Sequence, residues 1–273
     1  MNQLIRARRG EPRGVLKTKL QPGDFHHARL CPLPELQGWI EHFWVVRWNL
    51  AGQTPQIAQT LPHPSVHLVF EQNRAEVMGV VTGKFTTELS GAGRVFGIKF
   101  RPGMFYPFFG SAVSELTDCV RPIQHIFDQA GLDLRTALAA EPDEEVCVTL
   151  AETFLQARLP RPDAALERVR DVVEAIAADR QITRVEQVAE RLCLSLRPLQ
   201  RTFQKYVGVT PKWIIQRYRL HEAAAQLASP TPPDLTELAL QLGYFDQAHF
   251  ARDFKRVVGR SPGAYAKDAR AAG

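Results

Sequence analysis

The sequence predicts an α+β protein of two domains. The N-terminal half is β-rich with trailing helices, and the C-terminal half is all-α, with two helix-turn-helix units joined by a linker helix. Three observations carry this reading. Residues 15–105 are short apolar or alternating runs cut by Gly, Pro and Asn, the pattern of strands and tight turns. After Pro122 the apolar spacing lengthens to that of helices. The last third repeats itself: Val188-Ala189-x-x-Leu192 recurs as Leu238-Ala239-x-x-Leu242 at an offset of 50. Arg201-x-Phe203 and Gly208-x-Thr210-Pro211 then recur as Arg252-x-Phe254 and Gly259-x-Ser261-Pro262 at an offset of 51, so one residue is added in the second turn. A repeat of that length, with two helices per copy, is one supersecondary unit used twice.

Composition bounds the function. A chain of 273 residues, 45% hydrophobic and 23% charged, suits two ordinary globular domains of roughly 100–200 residues each and excludes whole-chain disorder. No apolar stretch approaches about 18 residues, which excludes a membrane-spanning helix. The opening MNQLIRARRG is basic with no apolar run after it, so the sequence predicts no secretory signal and a cytoplasmic location. Cys31, Cys119, Cys147 and Cys193 lie far apart with no CxxC pair, neither a zinc pattern nor a disulfide framework. The net charge is +5, and it is uneven: residues 1–161 hold 17 basic against 16 acidic side chains, residues 162–273 hold 17 against 13. Thirteen of the latter 17 are Arg, whose planar fork suits phosphates and guanine edges.

Taken in order, strands are expected at His42–Trp48, Val66–Phe70, Glu76–Val81 and Arg94–Phe100, with one short helix over 34–43. Helices follow at 122–139 and 143–158. Leu159-Pro160-Arg161-Pro162 marks the boundary, giving domains 1–160 and 161–273. In the first unit Thr183 and Glu186 read as a capping box. Leu196, Leu199, Phe203 and Tyr206 then form one buried stripe behind Ser195. Arg197, Gln200, Arg201, Gln204 and Lys205 face outward. Pro211 opens a linker helix that runs to about Ala228 before Pro230. In the second unit Asp246 caps a helix with Phe250, Phe254 and Val257 inside. Gln247, His249, Ala251, Arg252, Lys255 and Arg256 lie outside. Arg and Gln are the side chains that read guanine and adenine edges with paired hydrogen bonds, and Arg201 and Arg252 recur at one place in both copies.

The stretch Ile182–Tyr265 resembles the C-terminal DNA-binding domain of the AraC/XylS family of transcription regulators. The resemblance rests on Ala239-x-x-Leu242-Gly243-Tyr244-x-Asp246-x-x-x-Phe250-x-Arg252-x-Phe254-Lys255-x-x-x-Gly259-x-Ser261-Pro262-x-x-Tyr265. It implies seven helices, with two recognition helices in successive major grooves about 34 Å apart. It implies DNA contacts by Ser195, Arg197, Gln200, Arg201 and Lys205 in the first unit, and by Gln247, Ala248, His249, Ala251, Arg252 and Lys255 in the second. Ala266, where the family often has Arg, and Pro198 in the first turn of a recognition helix depart from the pattern. The N-terminal half resembles a domain of no known function often found before this module, through Phe43–Trp48, Leu61–Phe70, Thr82–Phe85 and Gly93–Gly103. By that analogy it is a small barrel, cupin-like, serving as an effector or dimerisation half.

Little chemistry is legible in that half. His63 and His67, four apart, could share a strand face and build a metal site with His26, His27 or His42, but the spacing does not match a His-x-His cupin motif and no carboxylate partner is placed, so no metal and no cofactor is expected. Trp44, Trp48, Phe96, Phe100, Phe105, Tyr106 and Phe108 suit either an apolar ligand pocket or simple core. Arg47, Lys99 and Arg101 suit an acidic ligand or the barrel rim. The function predicted is sequence-specific DNA binding in transcription regulation, without catalysis. The partners this implies are double-stranded DNA and RNA polymerase, with a small-molecule effector on the N-terminal domain and a second copy of the chain as further candidates, and no membrane. The alternative is an enzyme, such as a DNA-repair protein, that carries an AraC-type module. Such repair proteins need an N-terminal zinc-binding cysteine cluster or a Pro-Cys-His-Arg motif, and neither occurs here.

Overall fold

The computed structural model describes residues 24–161 and 163–271. The basic opening segment, residues 15–23 of the β-rich stretch and Pro162 of the expected boundary lie outside the described residues. The N-terminal strands are β1 (Asp24–Leu30), β2 (Ile40–Leu50), β3 (Gln56–Thr60), β4 (His67–Phe70), β5 (Ala75–Met78), β6 (Phe85–Leu89), β7 (Gly91–Phe100) and β8 (Val120–Pro122). Six form an antiparallel sheet in the order β1-β2-β7-β4-β5-β8, and β3 pairs with β6. The two long central strands set the register, with Phe43 opposite Ile98 and Val45 opposite Phe96. Those side chains share one face with Leu68, Phe70 and Val77. Helices α2 (Gln124–Ala140) and α3 (Glu144–Gln156) cover that face with Phe127, Leu134, Val148 and Leu155, after a one-turn helix α1 (Tyr106–Phe109).

The expected barrel is therefore corrected. Among the described strands the sheet does not close: β1 and β8 are its edges. A layer of helices covers the apolar face instead. The expected helix over 34–43 is corrected too. Only Pro34–Leu36 makes a tight 3-10 turn, and β2 begins at Ile40. Pairing with β7 and burial of Ile40, Phe43 and Val45 outweigh the local helical spacing. On the opposite face Trp44 lies flat across Gly97, where any Cβ would overlap the indole, so β7 needs glycine at that position.

Seven helices follow: α4 (Ala164–Ala178), α5 (Val185–Leu192), α6 (Leu196–Tyr206), α7 (Pro211–Leu227), α8 (Leu235–Gln241), α9 (Gln247–Val258) and α10 (Pro262–Ala271). Among the described residues no helix is long and apolar enough to cross a membrane. Asp163, Thr210, Asp234 and Asp246 accept hydrogen bonds from the first free N–H groups of α4, α7, α8 and α9. Thr183 does not cap α5. Gln187 reaches back instead, accepting from the backbone N–H of Thr183 and Arg184 at 2.8 and 2.9 Å. Leu196, expected inside, is exposed, and the buried stripe of α6 is Leu199 and Phe203.

Two small cores result, and neither is made by the C-terminal half alone. Val188, Leu199, Phe203 and Ile214 pack with Val169 and Val173 of α4 and with Val80 from the N-terminal half. Leu220, Leu238, Phe250, Phe254 and Tyr265 pack with Leu61 from the N-terminal half. The turns of the two units match in backbone. Gly243 has φ 74° and Cys193 has φ 53° at the same step of the repeat. A side chain in that left-handed conformation is strained by about 1–2 kcal/mol, against about 0.5–1 kcal/mol of extra chain entropy lost by glycine. Cys193→Gly is therefore expected to stabilise the protein by about 0.5–1 kcal/mol in denaturant unfolding. A lower unfolding midpoint would show that the thiol contributes packing that outweighs the strain.

Candidate nucleic-acid interface

The α5–α6 and α8–α9 pairs present equivalent outer faces. On α6, Arg197, Gln200 and Arg201 are exposed and fall three and four residues apart, one side of a helix. On α9, Gln247, Ala248, His249, Arg252 and Lys255 are exposed, while Ala251 is half-buried. Among the described residues no side-chain hydrogen bond or ion pair engages Arg197, Gln200, Arg201, Arg252 or Lys255. Neighbouring cations differ: Arg256 pairs with Asp253 at 3.1 Å. His249 leans toward Asp253 at 3.8 Å and meets the Tyr244 ring edge-on. Gln247 accepts a hydrogen bond from the Thr236 hydroxyl at 3.1 Å. Ser195 stands at the start of α6, exposed, with its hydroxyl not used as a cap. Thus α6 begins without a side-chain cap whereas Asp246 caps α9, and both helices end with cations, Lys205 on α6 and Lys255 and Arg256 on α9. Lys205 turns toward the N-terminal half: its ammonium lies 5.0 Å from the ring centres of Tyr106 and Tyr206. The hydrogen bond with Tyr106 raises its pKa.

Several side chains lock the N-terminal half onto both units, and the sequence reading missed them. Arg217 on α7, only 2% exposed, donates to the carbonyls of Thr82 and Gly83 in the turn before β6. Its guanidinium lies 4.6 Å over the Trp213 ring, and the Trp213 indole N–H also donates to the Thr82 carbonyl. Burial, with repulsion from Arg256, pushes the Arg217 pKa down to about 10, so it stays charged at neutral pH. Asp118 holds the turn from below, accepting from the Thr82 N–H and hydroxyl at 2.7 and 2.6 Å. Lys84 reaches the Val258 carbonyl at the end of α9, and Thr117 donates to the Gly208 carbonyl after α6. His63 stacks on His221 of α7 with ring centres 4.3 Å apart. The signal was local and weak: Thr82-Gly83-Lys84 reads as a turn, and only docking shows its partner.

The sequence-predicted residues of the N-terminal half do not assemble into one site. Phe96, Phe100 and Phe105 are sealed in the sheet–helix core, whereas Trp44 lies on the other face, half-exposed. Arg47 pairs with Glu144 at 3.0 Å and Lys99 with Glu41 at 3.0 Å; Arg101 pairs with Glu174. The histidines disperse: His26 meets Glu144 at 2.7 Å, and His67 accepts from the Trp44 indole at 3.3 Å. Among the described residues no cluster of three His, Cys, Asp or Glu side chains is arranged to hold a metal.

The outer face of the sheet instead carries a polar cluster with a pH signature. The Arg29 guanidinium lies along the His42 ring, Nε 3.2 Å from Nε2 and Nη2 3.3 Å from Nδ1, and Glu41 lies 3.5 Å from Nδ1. Burial holds His42 down to about 4 and His67 down to about 3, from 6.5. Burial would raise Glu41, but the Lys99 ammonium and the His42 hydrogen bond outweigh it and hold the carboxyl below the usual range. Below pH 6.5 an unfolded chain protonates both histidines while the folded chain does not. Stability is therefore expected to fall as pH drops from about 6.5 toward 4, by on the order of 6 kcal/mol for the two histidines, with Glu41 adding to the loss below about 4.5. Urea unfolding at pH 7 and pH 5 checks this. Equal stability at the two values would contradict it.

Comparison with known proteins follows the same division. Residues 28–122 match a family described as a domain of unknown function (DUF6597), and residues 188–268 match a family described as a helix-turn-helix domain. The chain is 27% identical over 161 residues to the HTH-type transcriptional activator RhaS of Salmonella schwarzengrund, covering 58% of this chain and 57% of that protein. It thus spans a little over half the length of the curated relatives it matches. A probable AraC family transcriptional regulator from Rhodopseudomonas palustris is 31% identical, with 37% of this chain and 96% of that one covered and a TM-score of 0.34. The DNA-binding domain of AdpA, solved in complex with a target DNA, is 26% identical over 40% of this chain and 96% of that one, TM-score 0.34. Together these matches give a chain with a domain of the DUF6597 type at residues 28–122 and a helix-turn-helix domain at residues 188–268, similar to HTH-type transcriptional activators such as RhaS.

Proposed function

We propose that this protein is a sequence-specific DNA-binding transcription regulator that lays α6 and α9 into successive major grooves. The observation that carries the reading is the pair Arg201 and Arg252, exposed, without a hydrogen-bond or ion-pair partner among the described residues, and equivalent in the two units. A buried or paired Arg serves the fold; a free one at a repeated outward position serves a ligand, and the guanidinium fork fits guanine O6 and N7. Ser195, Arg197, Gln200, Lys205, Gln247, Ala248, His249, Ala251 and Lys255 complete the surface, reading bases near the helix starts and phosphates near the ends. The domains divide at 160/161, because α3 belongs to the sheet core and α4 to the first unit.

The N-terminal domain is the regulatory half, and no catalysis is assigned to it. The Arg217–Thr82 contact and the Leu61 and Val80 plugs supply a physical route from that half to both recognition helices. A small-molecule effector or a second copy of the chain would act along that route, with RNA polymerase as the downstream partner, in the cytoplasm. The test is retention of sheared genomic DNA from the protein's host in about 0.15 M salt, followed by sequencing. The expected result is a recurrent motif of two elements about one helical turn apart. Retention that follows only fragment length, with no motif, would overturn base reading by both helices.

A further inference from the structure

The turn before α9 carries a side chain that the fold does not use. Phe245 is 89% exposed, more than any other large apolar residue among those described. The two units show where it comes from. Tyr244 N–H to Ala239 O repeats Leu194 N–H to Ala189 O, 50 residues on, while Phe250 N–H to Asp246 O repeats Leu199 N–H to Ser195 O, 51 residues on. The residue by which the second turn exceeds the first lies between Tyr244 and Asp246, and it is Phe245.

The ordinary structural use of an apolar residue just before a helix cap is to pack back on the fourth helical residue. Here that residue is Phe250, and the place against it is taken by Tyr244, with ring centres 5.4 Å apart. Phe245 is left in water beside Asp246, whose carboxylate accepts from the His249 N–H at 2.6 Å and fixes the start of α9. That is the end of a recognition helix that meets base edges. The outward face continuing from it is cationic at Arg252 and Lys255, which favours a polyanion over an apolar protein surface as the group that covers the ring.

We infer that Phe245 is a specificity-determining residue, its ring packing on the C5 methyl of a thymine at the edge of the second half of the DNA site. The thymine methyl is the one apolar group that the major groove presents, and aromatic side chains pack on it. This inference rests on the DNA-binding reading above and adds one position of the code.

The experiment uses the full chain, wild type and Phe245→Ala, each selecting from a random-sequence duplex pool. The wild-type duplex is then remade with each thymine replaced in turn by deoxyuracil, which removes only the methyl. Burying one methyl corresponds to about a fourfold preference. The wild type is expected to lose about that factor at one thymine in the second half-element, and Phe245→Ala to be indifferent to the same replacement. Its selected motif should drop that thymine and keep the first half-element. Equal sensitivity of both proteins, or identical motifs, overturns the role of Phe245 and leaves DNA recognition standing. A wild-type protein that selects no motif overturns both. Because the ring is almost fully exposed among the described residues, equal melting temperatures are expected, so a change in motif is not a folding effect.

Discussion

Arg252→Ala is expected to lower affinity for the selected site by roughly 5- to 150-fold, the range for losing one base-reading Arg. The loss should be confined to sequences with guanine at one position in the second half-element. Arg201→Ala should act in the same way on the first half-element. The warrant is structural as well as patterned: both side chains are exposed and make no side-chain hydrogen bond or ion pair with other described residues, so truncation costs the fold little. Lys255→Ala is the contrast. It should weaken all sequences alike and reduce the dependence of log affinity on log salt by about one. Titrations of matched and single-mismatch duplexes at two salt concentrations separate the cases. A uniform loss in Arg252→Ala would reassign that residue to phosphate contact and leave the second unit without its main reader.

Arg217→Ala is expected to destabilise the protein by about 2–4 kcal/mol, because it removes charge-assisted hydrogen bonds to two carbonyls along with a buried side-chain stem. The Thr82 and Gly83 carbonyls lose their donor, and Trp213 loses the cation over its ring. The same change should loosen the N-terminal half from α7 and so alter DNA affinity, although Arg217 is far too buried to touch DNA. Denaturant unfolding reads the first effect, and binding to the selected duplex under native conditions reads the second. Arg217→Lys keeps the charge but not the fork, so it should recover part of the stability. Unchanged stability in Arg217→Ala would show that Leu61 and Val80 hold the interface unaided. Changed stability with unchanged affinity would remove this contact as a route between the halves.

The two halves differ in how much of them the sequence reveals. In the C-terminal half the helical period, the proline and aspartate caps and the repeat are all local signals, and they place α6, α7 and α9 to within a residue or two. The outward set could be read from the same period, since whatever the core does not take faces out. The failures there were also local. Thr183 lost the cap to Gln187, which reached one turn further, and Leu196 stayed exposed because Leu199 and Phe203 already fill the first core. In the N-terminal half the strands were visible, but barrel and open sheet share one alternation of apolar and polar residues. What distinguishes them is which strands pair at the edges and whether helices cover the apolar face, and both are long-range facts.

By itself, then, the sequence determined the division into a β-rich and a helical half, the doubled helix-turn-helix and the identity of its outward Arg and Gln residues, because period, capping and repetition act over a few turns of chain. Only the tertiary structure decided that the sheet stays open. It alone showed that Trp44 and the buried aromatics face opposite ways, and that Leu61, Val80 and the Thr82 turn complete cores in the distant C-terminal half. Those contacts join segments with no common periodicity. A buried Arg reads in sequence like any solvated one, and its role follows only from the carbonyls that the other domain brings to it.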